Sequence, residues 1–285
     1  MTVPDLARAK GGDHWVAALP ATIAALEADW GITAGEPLSG GTSAYVAEAR
    51  TATGRPAVLK ISVPGIGFDR EIRTLVAAAG RGYARVLAAD PARDAVLLEP
   101  LGPALDRSGL TPEAQLDVLA GLLPLAWQVP AEGPAEDKAA GLIALIEELR
   151  APGHGRVVDE ALRCAERRSA AFDPDRCVWV HGDAAAANVL AAPDGGWVFV
   201  DPQGFLGDPD YDRGVAARDW CEELTAARDP RALLDDYCHR LGGDPRAVRE
   251  WAYVERVSTG LYVESLGGHS LHLATAAVLI EMHHR

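Results

Sequence analysis

Residues 177–204, CVWVHGDAAAANVLAAPDGGWVFVDPQG, constrain the fold more than any other stretch. Short apolar runs (VWV, NVLAA, WVFVD) are separated by a polar loop and a Gly-containing turn, inside a second half that otherwise reads as helix. Brief runs bounded by turn residues are strand signals, and PDGG between the last two predicts a hairpin. Asn188 then starts one strand, Asp201 ends its partner, and Asp183 lies in the loop that precedes them. The expectation is that two carboxylates and one carboxamide converge at one end of a small sheet.

The remaining organisation follows from changes of period. DHWVAALPATIAALEADWG predicts helix, with Pro20 starting a second piece and Gly31 as the stop. SGGTSAYVAEARTATGRPAVLKIS predicts two strands, Tyr45 to Arg50 and Ala57 to Ser62, joined by a turn at Thr53 to Pro56. FDREIRTLVAAAG predicts a helix ending at Gly80, and ARVLAAD and AVLLEPLG predict two more strands around the turn PARD. After Leu101 and Gly102 the patterns become long and helical: TPEAQLDVLAGLLPLAWQV carries Thr111 as N-cap and Pro112 at the first helical position. Residues 136–170 are helical with a break at APGHG, and helix resumes from Asp210 with breaks at Asp229-Pro230, Gly242 to Pro245 and Gly267-Gly268. The expected architecture is α+β: a small β-rich lobe, residues 1–100, and a mainly helical lobe, residues 101–285.

The spacing of Asp183, Asn188 and Asp201 is the D-x-x-x-x-N pattern with a second Asp used by phosphoryl transferases of the protein-kinase type. There the first Asp accepts the proton of the attacking hydroxyl and the other two hold a metal. Oxygen ligands of this kind suit Mg²⁺, which takes one or two carboxylates together with phosphate oxygens and water. The alternative is a polar hairpin whose Asp and Asn cap turns. Lys60 interrupts the apolar strand AVLKIS, and only three of the chain's 27 basic residues, Lys10, Lys60 and Lys138, are lysines. A compact ammonium on such a strand suits phosphate oxygens. Glu71 is its candidate partner, in competition with Asp69 and with the alternative of an exposed Glu near a helix N-terminus.

Ser39, Gly40, Gly41 and Thr42 form a strand turn where backbone N–H groups can approach phosphate, a weak signal without a full G-x-G-x-x-G. The segment from Glu99 to Leu101 is expected to meet an adenine edge. His181 reads as a structural histidine bonding the loop, because no second histidine lies at zinc-ligand spacing. Asp208, Asp210 and Asp212 read as caps and loop anchors, with Asp208 or Asp212 bracing the catalytic loop. Asp219, Glu222, Glu223, Glu255, Glu264 and Glu281 read mostly as a solvated face, with some of them as candidates to line the pocket.

The net charge of -14 argues against a nucleic acid bound through its phosphates and favours cationic small molecules slightly. No apolar run is long enough to span a membrane, and the N-terminal residues lack signal-peptide order, so a cytoplasmic location is expected. Cys164, Cys177, Cys221 and Cys238 show no CxxC spacing and are expected to be buried free thiols. The sequence carries no signal for an oligomeric state.

Taken together, SGGTSAYVAEA, AVLKIS with FDREI, LLEPL, VHGDAAAANVLA and VFVDPQGFLGDPDYD resemble the aminoglycoside phosphotransferase superfamily. Within it, the chain is most similar to the branch of streptomycin 6-kinases and hydroxyurea-type antibiotic kinases. The resemblance runs from about Asp13 to the last helix. It implies a bilobal protein-kinase-like fold, ATP with Mg²⁺ as donor, and transfer of the γ-phosphate to a hydroxyl of a small, cationic or sugar-like molecule such as streptomycin. It also implies Asp183 as catalytic base, Asn188 and Asp201 as magnesium ligands, Lys60 as the phosphate-binding lysine and Glu71 as its partner. A metabolic kinase of an amino sugar or polyol, and a nucleotide-binding regulator without turnover, are the alternatives.

Overall fold

The computed structural model describes residues 13–38, 44–64, 68–130, 132–150 and 153–281. The chain divides into two compact units, residues 1–102 with 190–203, and residues 103–189 with 204–285.

In the first unit, α1 (Asp13–Trp30) leads into β1 (Ile32–Pro37), β2 (Ala44–Thr51) and β3 (Pro56–Ser62). Then come α2 (Phe68–Ala78), β4 (Val86–Asp90) and β5 (Ala95–Leu98). The five strands form one antiparallel sheet in the order β1-β2-β3-β5-β4. Contrary to the two-piece expectation, α1 is continuous through Pro20 and stops at Gly31, whose φ of +60° is a conformation that glycine takes without a Cβ penalty. Strand β1 escaped the sequence reading because Gly35, Glu36 and Pro37 make ITAGEP a poor strand pattern; it is an edge strand, where such residues are tolerated.

Alternation along β3 decides the layout of this unit. Ala57, Leu59 and Ile61 join Leu26, Ile32, Ala49, Ala95 and Leu97 in an apolar core, with Trp15, Leu19 and Ile23 of α1 packed against it. Lys60, between Leu59 and Ile61, therefore points to the other face, where α2 supplies Glu71.

The second unit begins with α3 (Pro112–Ala126), α4 (Lys138–Leu149) and α5 (Gly155–Ala170), followed by β6 (Val178–Val180). Thr111 caps α3 as expected, its hydroxyl accepting from the Ala114 amide at 3.4 Å. The predicted hairpin forms from β7 (Val189–Ala191) and β8 (Trp197–Phe199). Residues 190–203 belong to the first unit rather than to the helical one. The physical reason is a backbone ladder: Phe199 donates to Gly82 O and accepts from the Ala84 amide, both at 2.9 Å, and Gly102 donates to Ala191 O at 2.7 Å. Tyr83 and Phe199, both fully buried, pack ring to ring beside this ladder.

A further strand beyond the sequence reading, β9 (Phe205–Gly207), pairs antiparallel with β6. Five helices complete the second unit: α6 (Pro209–Arg218), α7 (Cys221–Ala226), α8 (Pro230–Leu241), α9 (Pro245–Ser265) and α10 (Leu271–Glu281). The predicted breaks at Asp229-Pro230 and Gly242 to Pro245 are true helix starts: Asp229 and Asp244 accept from the first-turn amides, and proline occupies the first helical position. Helix α9 is buried on most of its surface and packs closely on α6. All four cysteines are free, but only Cys164 and Cys238 are buried; Cys177 and Cys221 are partly exposed. Among the described residues no helix is long and apolar enough to cross a membrane.

Candidate active site

Two sets of polar residues stand out, one in each unit. In the first, the Lys60 ammonium lies 2.6 Å from Glu71 Oε1 and 2.7 Å from Asp201 Oδ1. Lys60 and Glu71 are buried, whereas the Asp201 side chain is 51% exposed. Burial works against the charge on Lys60, yet Asp201 and Glu71 outweigh it and hold the ammonium pKa above its ordinary value. Asp201 has φ +57°, a left-handed conformation in which aspartate is among the few tolerated residues and which concentrates at functional sites. Asp69, the competitor for Glu71, has no ion pair with Lys60.

Burial pushes the Glu71 carboxyl up to about 7, with Lys60 opposing and Asp201 reinforcing the shift. Between its ordinary value of 4.5 and about 7, the folded protein keeps a proton that the unfolded chain has released. Stability from this group is complete below that window and is lost as pH rises through it. In urea unfolding without nucleotide or metal, Glu71→Gln should flatten this fall between pH 4.5 and 7.

In the second unit, the loop after β6 is held by its backbone. The buried Asp212 carboxylate on α6 accepts from the His181 amide at 2.7 Å, the Gly182 amide at 2.8 Å and Trp127 Nε1 at 2.9 Å. Burial raises the Asp212 pKa, and these donors, together with the His181 ring, oppose the rise. The Asp183 amide donates to His181 Nδ1 at 3.1 Å, so His181 serves the loop's structure. Asp208 caps α6 and also accepts from Trp251 Nε1 at 3.1 Å.

Asp183 itself is partly exposed. Asn188 Nδ2 donates to its backbone carbonyl at 2.8 Å and to Oδ2 at 2.9 Å. With Nδ2 so committed, the Asn188 carbonyl oxygen is the atom left to meet a cation. In the first unit, Asp201 likewise spends Oδ1 on Lys60 and retains Oδ2. These oxygens fit the donor chemistry of Mg²⁺. Among the described residues there is no group of three or more His, Cys, Asp or Glu suited to a metal.

Of the other sequence-predicted residues, Ser39, Gly40, Gly41 and Thr42 lie outside the described residues. Glu99 is tied to Arg85 through both backbone and side chain. Its amide donates to Arg85 O at 3.0 Å, and its side chain accepts from the Arg85 amide at 2.8 Å. Leu101 is half-buried. Glu255, one of the group expected mostly on a solvated face, is buried, accepting from Tyr211 Oη at 2.6 Å and lying 3.6 Å from Arg218. Arg218, which no motif marks, reaches Asp183 Oδ1 at 3.4 Å. Ala184, Ala185 and Ala186 are buried and pack the loop down, and Ala187 is exposed.

Comparison with known proteins places this arrangement. The fold is that of protein-kinase-like phosphotransferases: it matches choline kinase LicA of Streptococcus pneumoniae with a TM-score of 0.63 over 92% of this chain and 97% of that one, at 13% identity. A spectinomycin phosphotransferase matches with a TM-score of 0.60 over 86% and 87%, also at 13% identity. Residues 29–267 match the aminoglycoside/hydroxyurea antibiotic resistance kinases, and the chain belongs to that family. It is 31% identical over 273 residues to the streptomycin 6-kinase of Streptomyces glaucescens, covering 90% of this chain and 87% of that protein. It is 34% identical over 214 residues to the hydroxyurea phosphotransferase of Kitasatospora aureofaciens, covering 70% and 61%. The protein is therefore an O-phosphotransferase with ATP as phosphate donor.

Proposed function

We propose that the protein transfers the γ-phosphate of ATP to a hydroxyl of a small antibiotic, with a streptomycin-like aminoglycoside as the first candidate acceptor. The observation that carries this reading is the buried Lys60 ammonium shared between Glu71 and Asp201. An ammonium oriented by one buried carboxylate and adjoining one exposed carboxylate suits a triphosphate and its metal. The relationship to a streptomycin 6-kinase supports the choice of acceptor, and the net charge of -14 suits a cationic one. ATP as donor favours the cytoplasm.

Lys60 binds and orients phosphate oxygens, and Glu71 holds Lys60 in place. Asn188 and Asp201 would hold Mg²⁺, which when bound neutralises developing charge on the phosphate oxygens. Asp183 accepts the proton of the acceptor hydroxyl as that oxygen bonds to the γ-phosphorus; the bond from phosphorus to the bridging oxygen breaks and ADP leaves. Most of the acceleration is positioning and charge stabilisation.

The test is ADP release from ATP, with Mg²⁺ or with EDTA, against streptomycin, other aminoglycosides, hydroxyurea, glucosamine and plain sugars. Streptomycin-stimulated release that EDTA abolishes is the expected result. Stimulation only by a simple sugar would replace the acceptor class and leave the chemistry standing. Release that is unchanged by EDTA would overturn the metal assignment.

A further inference from the structure

We propose that Arg218 is a positioning residue for phosphoryl transfer, holding the Asp183 carboxylate in the orientation that meets the acceptor hydroxyl. The inference rests on Asp183 being the base.

The backbone around Asp183 is already fixed, because Asp212 receives the amides of His181 and Gly182. That leaves the side chain. Asn188 engages Oδ2, and both terminal nitrogens of Arg218 face Oδ1 at 3.4 Å. One anchor on each oxygen defines the plane of a carboxylate; a single anchor leaves it free to rotate. The assignment of Asn188 to a cation makes the second anchor more important, since Asn188 then serves two partners.

Arg218 is itself held from behind. Its Nε donates to Asp219 Oδ1 at 3.2 Å, and Nη1 lies 3.6 Å from Glu255 Oε2. The other oxygen of Glu255 takes the Tyr211 hydroxyl at 2.6 Å, and that hydroxyl lies 3.4 Å from the carbonyl of Gly182, the residue before Asp183. The chain of contacts thus leaves the loop through Asp183 and returns to it one residue earlier. Tyr211 and Arg218 sit on the same helix, α6, and Glu255 reaches both from α9. Side-chain exposures of 13% for Arg218 and 8% for Glu255 put both charges largely out of water. Buried ion pairs contribute little stability beyond that of well-packed apolar residues, so the arrangement is better accounted for by geometry than by stability. The contact to Oδ1 is also long, which leaves that oxygen able to accept a further hydrogen bond.

Steady-state kinetics of Arg218→Ala, Arg218→Lys and Glu255→Gln, with Asp183→Ala in parallel and thermal unfolding of each, test the proposal. Misplacement of a reacting group costs about 100-fold. Arg218→Ala should lose about that much in kcat with the KM for ATP little changed. Arg218→Lys should recover part of the loss, and millimolar guanidinium ion should raise the turnover of Arg218→Ala but not of the wild type. Glu255→Gln, which loosens the support and keeps a hydrogen-bonding side chain, should lower kcat less. Wild-type kcat in Arg218→Ala alongside an inactive Asp183→Ala would refute the role of Arg218 and spare the assignment of Asp183. Wild-type kcat in Asp183→Ala would instead remove the assignment of Asp183 as base. A higher acceptor KM at constant kcat would make Arg218 a substrate contact and overturn positioning. Should Arg218→Ala not fold, Arg218→Lys and Glu255→Gln decide: wild-type kcat in both refutes the proposal.

Discussion

Asp183→Ala should lower kcat by about 10²- to 10⁴-fold, the usual contribution of a general base, with ATP affinity retained. The separation of effects follows from where Asp183 sits. Its carboxylate belongs to the second unit, touching Asn188 and Arg218, while Lys60, Glu71 and Asp201 belong to the first. Removing it deletes neither the ammonium nor its orienting carboxylates. Folding should survive, because the loop is held through the backbone by Asp212 and by the amide of Asp183 itself, and alanine keeps that amide. Single-turnover kinetics with saturating ATP, together with calorimetric titration of nucleotide, would show both halves of this result. A variant with wild-type turnover would remove Asp183 from the chemistry.

Gly214→Ala should destabilise the protein by about 3 kcal/mol, at the upper end for an overpacked core. In an ordinary helix interior the same change stabilises by about 1 kcal/mol, so the sign here is set by space. A Cβ on Gly214 would collide with Trp251 Cβ and sit 2.9 Å from the Ala252 nitrogen and 3.0 Å from the Trp251 carbonyl carbon. Two of these are backbone atoms of α9, so no side-chain rotation gives relief and the two helices must separate. Trp251 is further committed through its Nε1 to Asp208 and by an edge-on contact with Tyr211. Gly121→Ala on α3, where nothing lies within 4 Å, is the control and should be neutral or mildly stabilising. Urea unfolding of both variants decides it. Because α6 carries Asp212 and Arg218, any Gly214→Ala protein that folds should also turn over slowly.

The sequence made the Lys60 and Glu71 pair legible through local signals. Strand alternation put Lys60 on the opposite face from Leu59 and Ile61, and the following helix offered Glu71. The D-x-x-x-x-N spacing marked Asp183 and Asn188, which lie so close in the chain that a loop must bring them together. The sequence offers Asp208 or Asp212 as a brace for the loop; that Asp212 is the one that accepts two loop amides and Trp127 needed the fold. Arg218 and Glu255 were not legible. Each looks like an ordinary charged residue on a helix, and they meet only because α6 and α9 pack closely at Gly214. Strands β1 and β9 were hidden for a related reason: short, Gly- and Pro-containing segments become strands when a neighbour supplies the ladder.

By itself, then, the sequence determined what depends on neighbours within one turn or one hairpin: most of the helices and strands, the Thr111 cap, the α+β class and the spacing of Asp183 with Asn188. Tertiary structure decided which residues are buried together across long separations. It decided that residues 190–203 join the first unit, that Lys60 meets Asp201, and that Glu255 is withdrawn from water to support Arg218. The reason is physical: local periodicity is a property of one chain segment, whereas burial of a charge depends on partners that only packing can deliver.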